Sequence, residues 1–293
     1  EAIALYQRAI KAKPDFVSAI INLAAIYQNS KRPDEALDLY ETAMKLDPVD
    51  PLVIRNTYFL YKNNFKDQDR ANRFLKEAEQ TLHTDAYIFD FVRGIDLQIK
   101  RDLKKAAAYF ESAMDKGGNF EVLERLTNVR MKLLEQSGAS TKERLQPLLK
   151  VIEYGKVNSN AEALLYAGKT LDEKFEAKAE ALKVYEASYN IYPTGEAAVE
   201  GFTVMANSNF DHCYALLQRA ERDLQDNWKV KSYLSWANFN FRYEPVLAER
   251  YAQEALQLAE LQSEIKVAVR WFGDFYEERG EYDKALAVYQ RSI

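Results

Sequence analysis

Glycine and proline, which shape turns and end helices, are scarce in this sequence: it has ten glycines and seven prolines in 293 residues. An all-β domain needs such residues at short intervals, so their scarcity favours long helices joined by short loops. Cysteine occurs once, at Cys213, which excludes an internal disulfide framework. The single cysteine and the lack of glycosylation-rich features give only a small preference for a cytoplasmic location.

Long apolar runs and blocks of like charge are also absent. The longest apolar run, 17–27, contains Ser18 and Asn22 and is far too short to cross a bilayer. The formal net charge is −5, and basic and acidic residues are mixed along the chain without long blocks of one sign. Because no apolar run is long enough, we expect no membrane insertion. Because no basic stripe could neutralise a phosphate backbone, we expect no nucleic-acid partner.

The chain does contain an internal repeat, which is clearest in residues 17–48. Two sets of residues there recur at offsets of three and four, the spacing of one helical face: Ile20, Leu23, Ala24 and Tyr27, then Ala36, Leu39, Tyr40 and Ala43. Pro33 suits the first turn of the second helix, and Pro48 ends it. The segment therefore predicts a helical hairpin.

The second-helix signature of alanine, aromatic residue and alanine recurs at a spacing of about 35 residues. The copies are Ala2, Tyr6, Ala9; Ala36, Tyr40, Ala43; Ala71, Leu75, Ala78; Ala106, Phe110, Ala113; a degenerate Leu145, Leu149, Ile152; Ala181, Tyr185, Ser188; Cys213, Leu217, Ala220; Ala248, Ala252, Ala255; and Ala285, Tyr289, Ser292.

First helices carry a small residue where the two helices of a hairpin should cross: Ala24, Gly94, Gly168, Gly201 and Gly273. Tyr58 and Trp236 occupy that position in two copies, which predicts two distorted hairpins.

This pattern resembles the tetratricopeptide repeat family, whose unit is a helical hairpin of about 34 residues. The resemblance covers the whole chain and implies an all-α fold, an α-α superhelix that forms a right-handed solenoid of tetratricopeptide-like hairpins. A generic helical bundle is the alternative, but a bundle lacks the constant spacing.

We expect one solenoid over 1–293, with a hinge near 137–147. The predicted units are 1–15 (partial), 16–50, 51–84, 85–118, 119–158, 159–193, 194–226, 227–262 and 263–293 (partial). Neither end has a polar capping helix, so we expect a fragment of a longer chain. Ser140 and Glu143 form a predicted capping box, and Pro147 should delay or kink the helix that follows. An ordinary degenerate repeat is the alternative to a hinge.

Catalytic chemistry finds no support in the sequence. The two histidines are His83 and His212, and His212 adjoins Cys213 on a predicted helix, where neighbouring side chains point in different directions. We interpret them as a surface imidazole and a buried thiol. No P-loop, dinucleotide-binding turn or nucleophile elbow is present. We therefore expect no enzyme, no cofactor and no metal.

The resemblance implies a concave groove lined by first helices, in which a protein or peptide partner lies. Candidate partner-binding residues are those of the first helices that packing does not use: Asn22, Arg55, Asn56, Tyr166, Lys169, Tyr233, Arg270, Trp271 and Asp274. Asn22 and Asn56 fall at equivalent places in adjacent repeats, where asparagines can bond a partner's backbone. Ordinary solvated polar residues are the alternative.

Aromatic residues are concentrated in the C-terminal third: Trp228, Tyr233, Trp236, Phe239, Phe241, Tyr243, Trp271, Phe272, Phe275 and Tyr276. They exceed what one packing face requires, and tryptophan and tyrosine are enriched at interaction hot spots. This region is our candidate partner site, with core packing as the alternative.

The function that we predict is a protein-interaction scaffold or adaptor. One alternative is a structural module that self-associates or joins a complex through open repeat ends. Another is the regulatory or substrate-recruiting arm of an enzyme whose catalytic domain lies outside this sequence.

Overall fold

The computed structural model describes residues 2–82 and 86–290, and all regular secondary structure in them is helical. The α-helices are α1 Ala2–Ala12, α2 Val17–Asn29, α3 Pro33–Leu46, α4 Pro51–Phe59, α5 Gln68–Leu82, α6 Tyr87–Ile99, α7 Leu103–Asp115, α8 Phe120–Gln136, α9 Thr141–Val157, α10 Ala161–Phe175, α11 Lys178–Ile191, α12 Gly195–Thr203, α13 Phe210–Asp223, α14 Trp228–Asn240, α15 Pro245–Leu258, α16 Gln262–Glu278 and α17 Tyr282–Tyr289. A π-helical turn, Leu60–Asn64, follows α4. The predicted all-α class is correct.

The chain divides into two compact units, Glu1–Ala139 and Ser140–Ile293. The first contains α1 to α8 and the second α9 to α17. Within each unit, successive helices pack as antiparallel hairpins that stack on one another. A hinge over 137–147 stays a prediction.

The hairpins are held by a large residue of the second helix packed over a small residue of the first. A Cβ atom added to Gly94 would lie 2.5 Å from the ring of Phe110, and one added to Gly168 would lie 2.7 Å from the ring of Tyr185. Real Cβ atoms do not approach a ring so closely, so these positions require glycine. The predicted crossing role of these glycines is confirmed; Ser292, in the last copy of the signature, lies outside the described residues.

The two bulky residues predicted at crossing positions have different outcomes. Tyr58 is buried, and α4 passes directly into the π-helical turn behind it, so this hairpin is distorted as expected. The prediction for Trp236 is wrong by one residue. Ser235 is buried at the crossing and donates a hydrogen bond of 2.8 Å to the carbonyl of Ala248, while Trp236 is 37% exposed.

Helix α9 also differs from the prediction. The Leu145, Leu149, Ile152 copy is out of register, because Leu149 is 49% exposed while Leu148 and Val151 are fully buried. The helix begins at Thr141, ahead of Pro147, so the proline does not delay its start. The predicted capping box is confirmed: the Ser140 hydroxyl accepts from the Glu143 N–H, and the Glu143 carboxylate accepts from the Ser140 N–H.

Asp96 of α6 is a nearly buried carboxylate with two cationic partners. Lys62, from the π-helical turn, donates to one of its oxygens, and Lys100 donates to the other at 2.7 Å. Burial alone would raise the pKa of Asp96. The hydrogen bonds and charges of Lys100 and Lys62 outweigh burial and lower that pKa.

Asp90, on the same helix, has a comparable environment. Its carboxylate accepts from the Ser112 hydroxyl at 2.6 Å and forms ion pairs with Lys116 at 2.8 Å and with Arg93 at 3.2 Å. Burial opposes ionisation, but the hydrogen bonds from Lys116 and Ser112 and the nearby positive charges lower the pKa of Asp90 overall.

These two carboxylates should make the first unit sensitive to acid. A lowered carboxyl pKa contributes stability that is present above the unfolded-state pKa of about 4 and is lost as the pH falls through the lower folded value. We expect urea unfolding to show a loss of stability below about pH 4 that is smaller in an Asp90→Asn, Asp96→Asn variant. Asp38→Asn, at an exposed position of α3, is the control. Equal acid sensitivity in all three proteins would contradict the assignment.

Candidate binding groove

The second unit contains a groove between α14 and α16, with α15 beneath it. The first helices α12, α14 and α16 pack in succession, and the open space between them has a volume of about 420 Å³. Its lining consists of Thr203, Ser232, Tyr233, Ser235, Trp236, Phe239, Asn240, Ala252, Ala255, Ala268, Trp271, Phe272, Asp274, Phe275 and Glu278. All of these residues belong to one unit, so the groove is formed within it.

The floor of the groove is made of small side chains. Ser235 lies at the crossing position of the first helix. Ala252 lies at the position of the second helix where other hairpins have the large residue that packs over the crossing. In the α10–α11 hairpin that large residue is Tyr185, which is 1% exposed and fills the space over Gly168. The methyl group of Ala252 cannot fill the corresponding space, which is therefore part of the groove.

The walls of the groove are aromatic. Tyr233 of α14 and Trp271 of α16 are in contact, with ring centroids 4.6 Å apart, and Phe239 meets Phe275 edge to face at 4.9 Å. Trp236 packs edge to face on Phe202 of α12 at 5.8 Å and keeps part of its ring exposed. Rings from successive first helices thus support one another and present an apolar surface to the groove.

The rim of the groove is polar. The Asp274 carboxylate accepts a hydrogen bond of 2.8 Å from the Tyr289 hydroxyl. Arg270, with an 80% exposed side chain, lies 3.9 Å from the same carboxylate, a distance at which solvent screens most of the attraction. Burial and the nearby Glu200 carboxylate raise the pKa of the Tyr233 phenol, so this hydroxyl stays protonated at neutral pH.

Of the predicted site residues, the structure brings four together here. Tyr233, Trp271 and Asp274 line the groove, and Arg270 lies beside Asp274. Tyr166 and Lys169 belong to the same unit but lie on α10, outside the groove lining. Lys169 forms ion pairs with Glu196 and Glu200 of α12, so its charge is already used in packing one first helix against the next.

The remaining candidates lie in the first unit and do not form a matched pair of asparagines. Asn22 is exposed on α2, whereas Asn56 of α4 is half-buried near the hydroxyl of Tyr40. The Arg55 guanidinium donates to both carboxylate oxygens of Glu121 in α8, at 2.9 and 3.2 Å. Asn22 and Asn56 therefore have different environments, and Arg55 is engaged within its own unit.

Cys213 and His212, the residues considered for catalysis, lie in environments that packing and an acidic neighbour explain. Cys213 is fully buried, and burial together with Glu186 raises the pKa of its thiol to about 11. His212 is exposed, as the sequence interpretation predicts, and its Nε2 atom lies 2.6 Å from a Glu186 oxygen. His83 lies outside the described residues. Over residues 2–82 and 86–290 no cluster of metal-ligating side chains is present. Among the described helices, none is long and apolar enough to span a bilayer.

Sequence reasoning missed the floor of the groove and part of its rim. Ala252 was visible as an alanine in place of the aromatic residue of the signature, and that substitution was a signal that the space beneath would be open. Glu278 had no signal, because one glutamate at the end of an amphipathic helix is unremarkable in sequence.

The hairpin stack with a lined groove defines a class of helical-repeat protein, and comparison with known proteins identifies the repeat. Models of the tetratricopeptide repeat match residues 1–55 and 273–293. The two matched segments are therefore tetratricopeptide repeats, and the fold of the chain is that of a tetratricopeptide repeat solenoid.

One curated relative and two solved structures illustrate the similarity. The chain is 34% identical to the human Protein O-mannosyl-transferase TMTC1 over 95 residues, which are 31% of this chain and 11% of that protein. The crystal structure of yeast Tom70 is similar with a TM-score of 0.55 and 14% identity, covering 94% of this chain and 58% of that chain. A human IFIT1 dimer with m7Gppp-AAAA has a TM-score of 0.45 and 16% identity, covering all of this chain and 72% of that chain.

These likenesses differ in what they support. The chain matches only about a tenth of the length of TMTC1 and just over half of Tom70. At a sequence identity of 14%, the similarity to Tom70 establishes the fold alone. The similarity to IFIT1, with a TM-score of 0.45, supports no further conclusion. The tetratricopeptide repeat fold supports a protein-interaction role, since repeat solenoids present extended binding surfaces.

Proposed function

We propose that this chain is a protein-interaction scaffold that holds an extended segment of a partner protein in the groove between α14 and α16. The observation that carries the proposal is the set of tyrosine and tryptophan rings from successive first helices around an open space of about 420 Å³. Buried aromatic anchors in a pocket with a polar rim are the usual source of affinity at protein interfaces. The chain itself, in this proposal, does no catalysis.

The length of the groove suits a short extended chain segment. Trp271 and Glu278 both line it and lie two helical turns apart, or about 10 Å. That distance matches about three residues of extended polypeptide. Backbone groups of such a segment would find hydrogen-bonding partners in Asn240 and Thr203 at the rim.

Selection from a displayed library of random linear peptides tests this function. We expect wild-type protein to enrich a set of peptides, and a Tyr233→Ala, Trp271→Ala variant to bind the same peptides at least about tenfold more weakly, because hot-spot rings are removed. Tyr192→Ala, which removes an exposed ring at the end of α11, should bind them normally. Circular dichroism checks that all three proteins are equally helical. Peptides retained equally by the double variant would place binding elsewhere, and no enrichment would contradict the proposal.

A second candidate function rests on the similarity to TMTC1, which is named as an O-mannosyl-transferase. In that case these repeats form the substrate-recruiting arm of an enzyme. Mass spectrometry of the protein that antibodies to this chain precipitate from its natural source distinguishes the two. Peptides of a glycosyltransferase domain in the same polypeptide would favour the enzyme arm, and a polypeptide sequenced in full without such a domain would oppose it.

A further inference from the structure

The charged residues that line the groove between α14 and α16 are acidic, while the exposed Arg270 lies at its rim. Two carboxylates, those of Asp274 and Glu278, line it, and the described lining residues include no lysine, arginine or histidine. Glu200 adds a third carboxylate close to Tyr233, although Lys169 neutralises part of that charge. The electrostatic potential in the groove therefore favours a cation.

The two lining carboxylates keep unused acceptor capacity. Asp274 accepts one hydrogen bond from Tyr289, and its ion-pair partner among the described residues is the distant, exposed Arg270. Glu278 is exposed at the end of α16, and no ion pair joins it to any lysine or arginine in the part of the chain that the structure describes. A carboxylate has about four lone-pair sites, so each can accept further charged donors.

The aromatic walls add a second attraction for the same kind of group. Ring faces of tryptophan and tyrosine attract cations, and a planar guanidinium can stack on a ring while it donates two hydrogen bonds to a carboxylate. Phe275 already shows this chemistry, because the Arg279 guanidinium lies 5.2 Å from its ring and pairs with Glu281.

We propose that the groove binds a basic, unstructured segment of a partner protein and accepts an arginine side chain of that segment among the Tyr233, Trp236 and Trp271 rings, beside Asp274 and Glu278. This inference rests on the proposed function, since it names the chemistry of the partner segment. The apolar floor at Ala252 and Ala255 takes an aliphatic neighbour of that arginine. A basic segment fits better than an acidic one, whose carboxylates would be repelled by the rim.

Two labelled peptides that differ only in charge test the proposal. Each consists of glycine and serine around a central leucine flanked either by two arginines or by two citrullines, the neutral analogue of arginine. Fluorescence anisotropy with the full chain should show binding of the arginine peptide and at least about tenfold weaker binding of the citrulline peptide, because the charged hydrogen bonds are lost. Added salt should weaken the arginine peptide more.

Variants of the protein locate the effect. Asp274→Asn combined with Glu278→Gln should weaken the arginine peptide by about the same factor and leave the citrulline peptide unchanged. Glu41→Gln, at an exposed position of α3, removes one carboxylate elsewhere and should change neither. If the double variant still binds the arginine peptide normally, the basic partner does not use this groove and the proposal is wrong.

The peptide library separates this proposal from the function on which it rests. Enriched peptides rich in arginine, and lost from the Tyr233→Ala, Trp271→Ala variant, support both. Enriched peptides that are neutral or acidic, or equal binding of the arginine and citrulline peptides, overturn the basic-partner proposal and leave the scaffold function in place. No enrichment together with no binding of the arginine peptide overturns both.

Discussion

Replacing Tyr185 with alanine is expected to lower the free energy of unfolding of the second unit by about 3–5 kcal/mol, the range for removing a large buried aromatic side chain. Tyr185 is 1% exposed, and its ring lies directly over Gly168 of α10. Its Cβ atom also lies 3.4 Å from the position that a side chain on Gly201 of α12 would take. One tyrosine thus joins its own hairpin to the next.

The loss should extend beyond one hairpin, because each unit of a repeat array is stabilised mainly by its neighbours. Because Gly168 has no side chain that could move into the space of the removed ring, the cavity left by Tyr185→Ala would persist. Urea unfolding followed by circular dichroism measures the effect. Tyr192→Ala is the matched control: that tyrosine ends the same helix, is 67% exposed, and should change stability by less than about 0.5 kcal/mol. Similar losses from the two variants would mean that the ring of Tyr185 is not the clamp.

Filling the floor of the groove with Ala252→Leu is expected to weaken peptide binding strongly without loss of stability. Leucine occupies the equivalent place in two other second helices, at Leu75 and Leu217, so the fold accepts it there. Its added methyl and methylene groups would enter the open space between Ser235 and Phe272. Binding of groove ligands should weaken at least about tenfold, while stability should stay the same or rise by up to about 1 kcal/mol.

This combination distinguishes a blocked site from a damaged fold. Anisotropy with a groove-binding peptide and thermal unfolding are measured on the same preparation. Ala255→Ser, a nearly isosteric change in the same floor, is the control and should leave the groove open. Unchanged peptide affinity in Ala252→Leu would show that ligands do not enter the groove to its floor. A large drop in stability would show that the space is not free to accept a side chain.

Much of the fold could be predicted from the sequence because the packing of each hairpin is local. Gly168 and Tyr185 are close in the chain, and the ring of Tyr185 fills the space that Gly168 leaves. The same pairing of a small and a large residue recurs in other hairpins, so it can be recognised in the sequence. The Ser140 capping box is local in the same way. Trp236 is an exception, because the length of a turn shifts its position. The turn after α14 has one more residue than the turn after α2, since Glu244 bonds to the carbonyl of Asn238 six residues back whereas Arg32 bonds to Tyr27 five residues back. Ser235 therefore takes the crossing position.

The candidate site was only half visible. Tyr233, Trp271 and Asp274 stood out as residues that packing did not need, and they do line one groove. Arg55 and Lys169 stood out for the same reason, yet each forms an ion pair with a carboxylate far away in sequence, Glu121 and Glu196. A sequence shows which residues carry charge but not which charges are already paired.

The sequence by itself thus determined the class of fold, the hairpin pairing and the absence of a catalytic motif, because each depends on residue types repeated within a short window. The tertiary structure alone decided where the groove opens and what lines it. A cavity is space that no side chain fills, and whether Ala252 leaves such space depends on the distances among α14, α15 and α16. Whether Glu278 is available to a partner depends in the same way on which cations the fold brings near it.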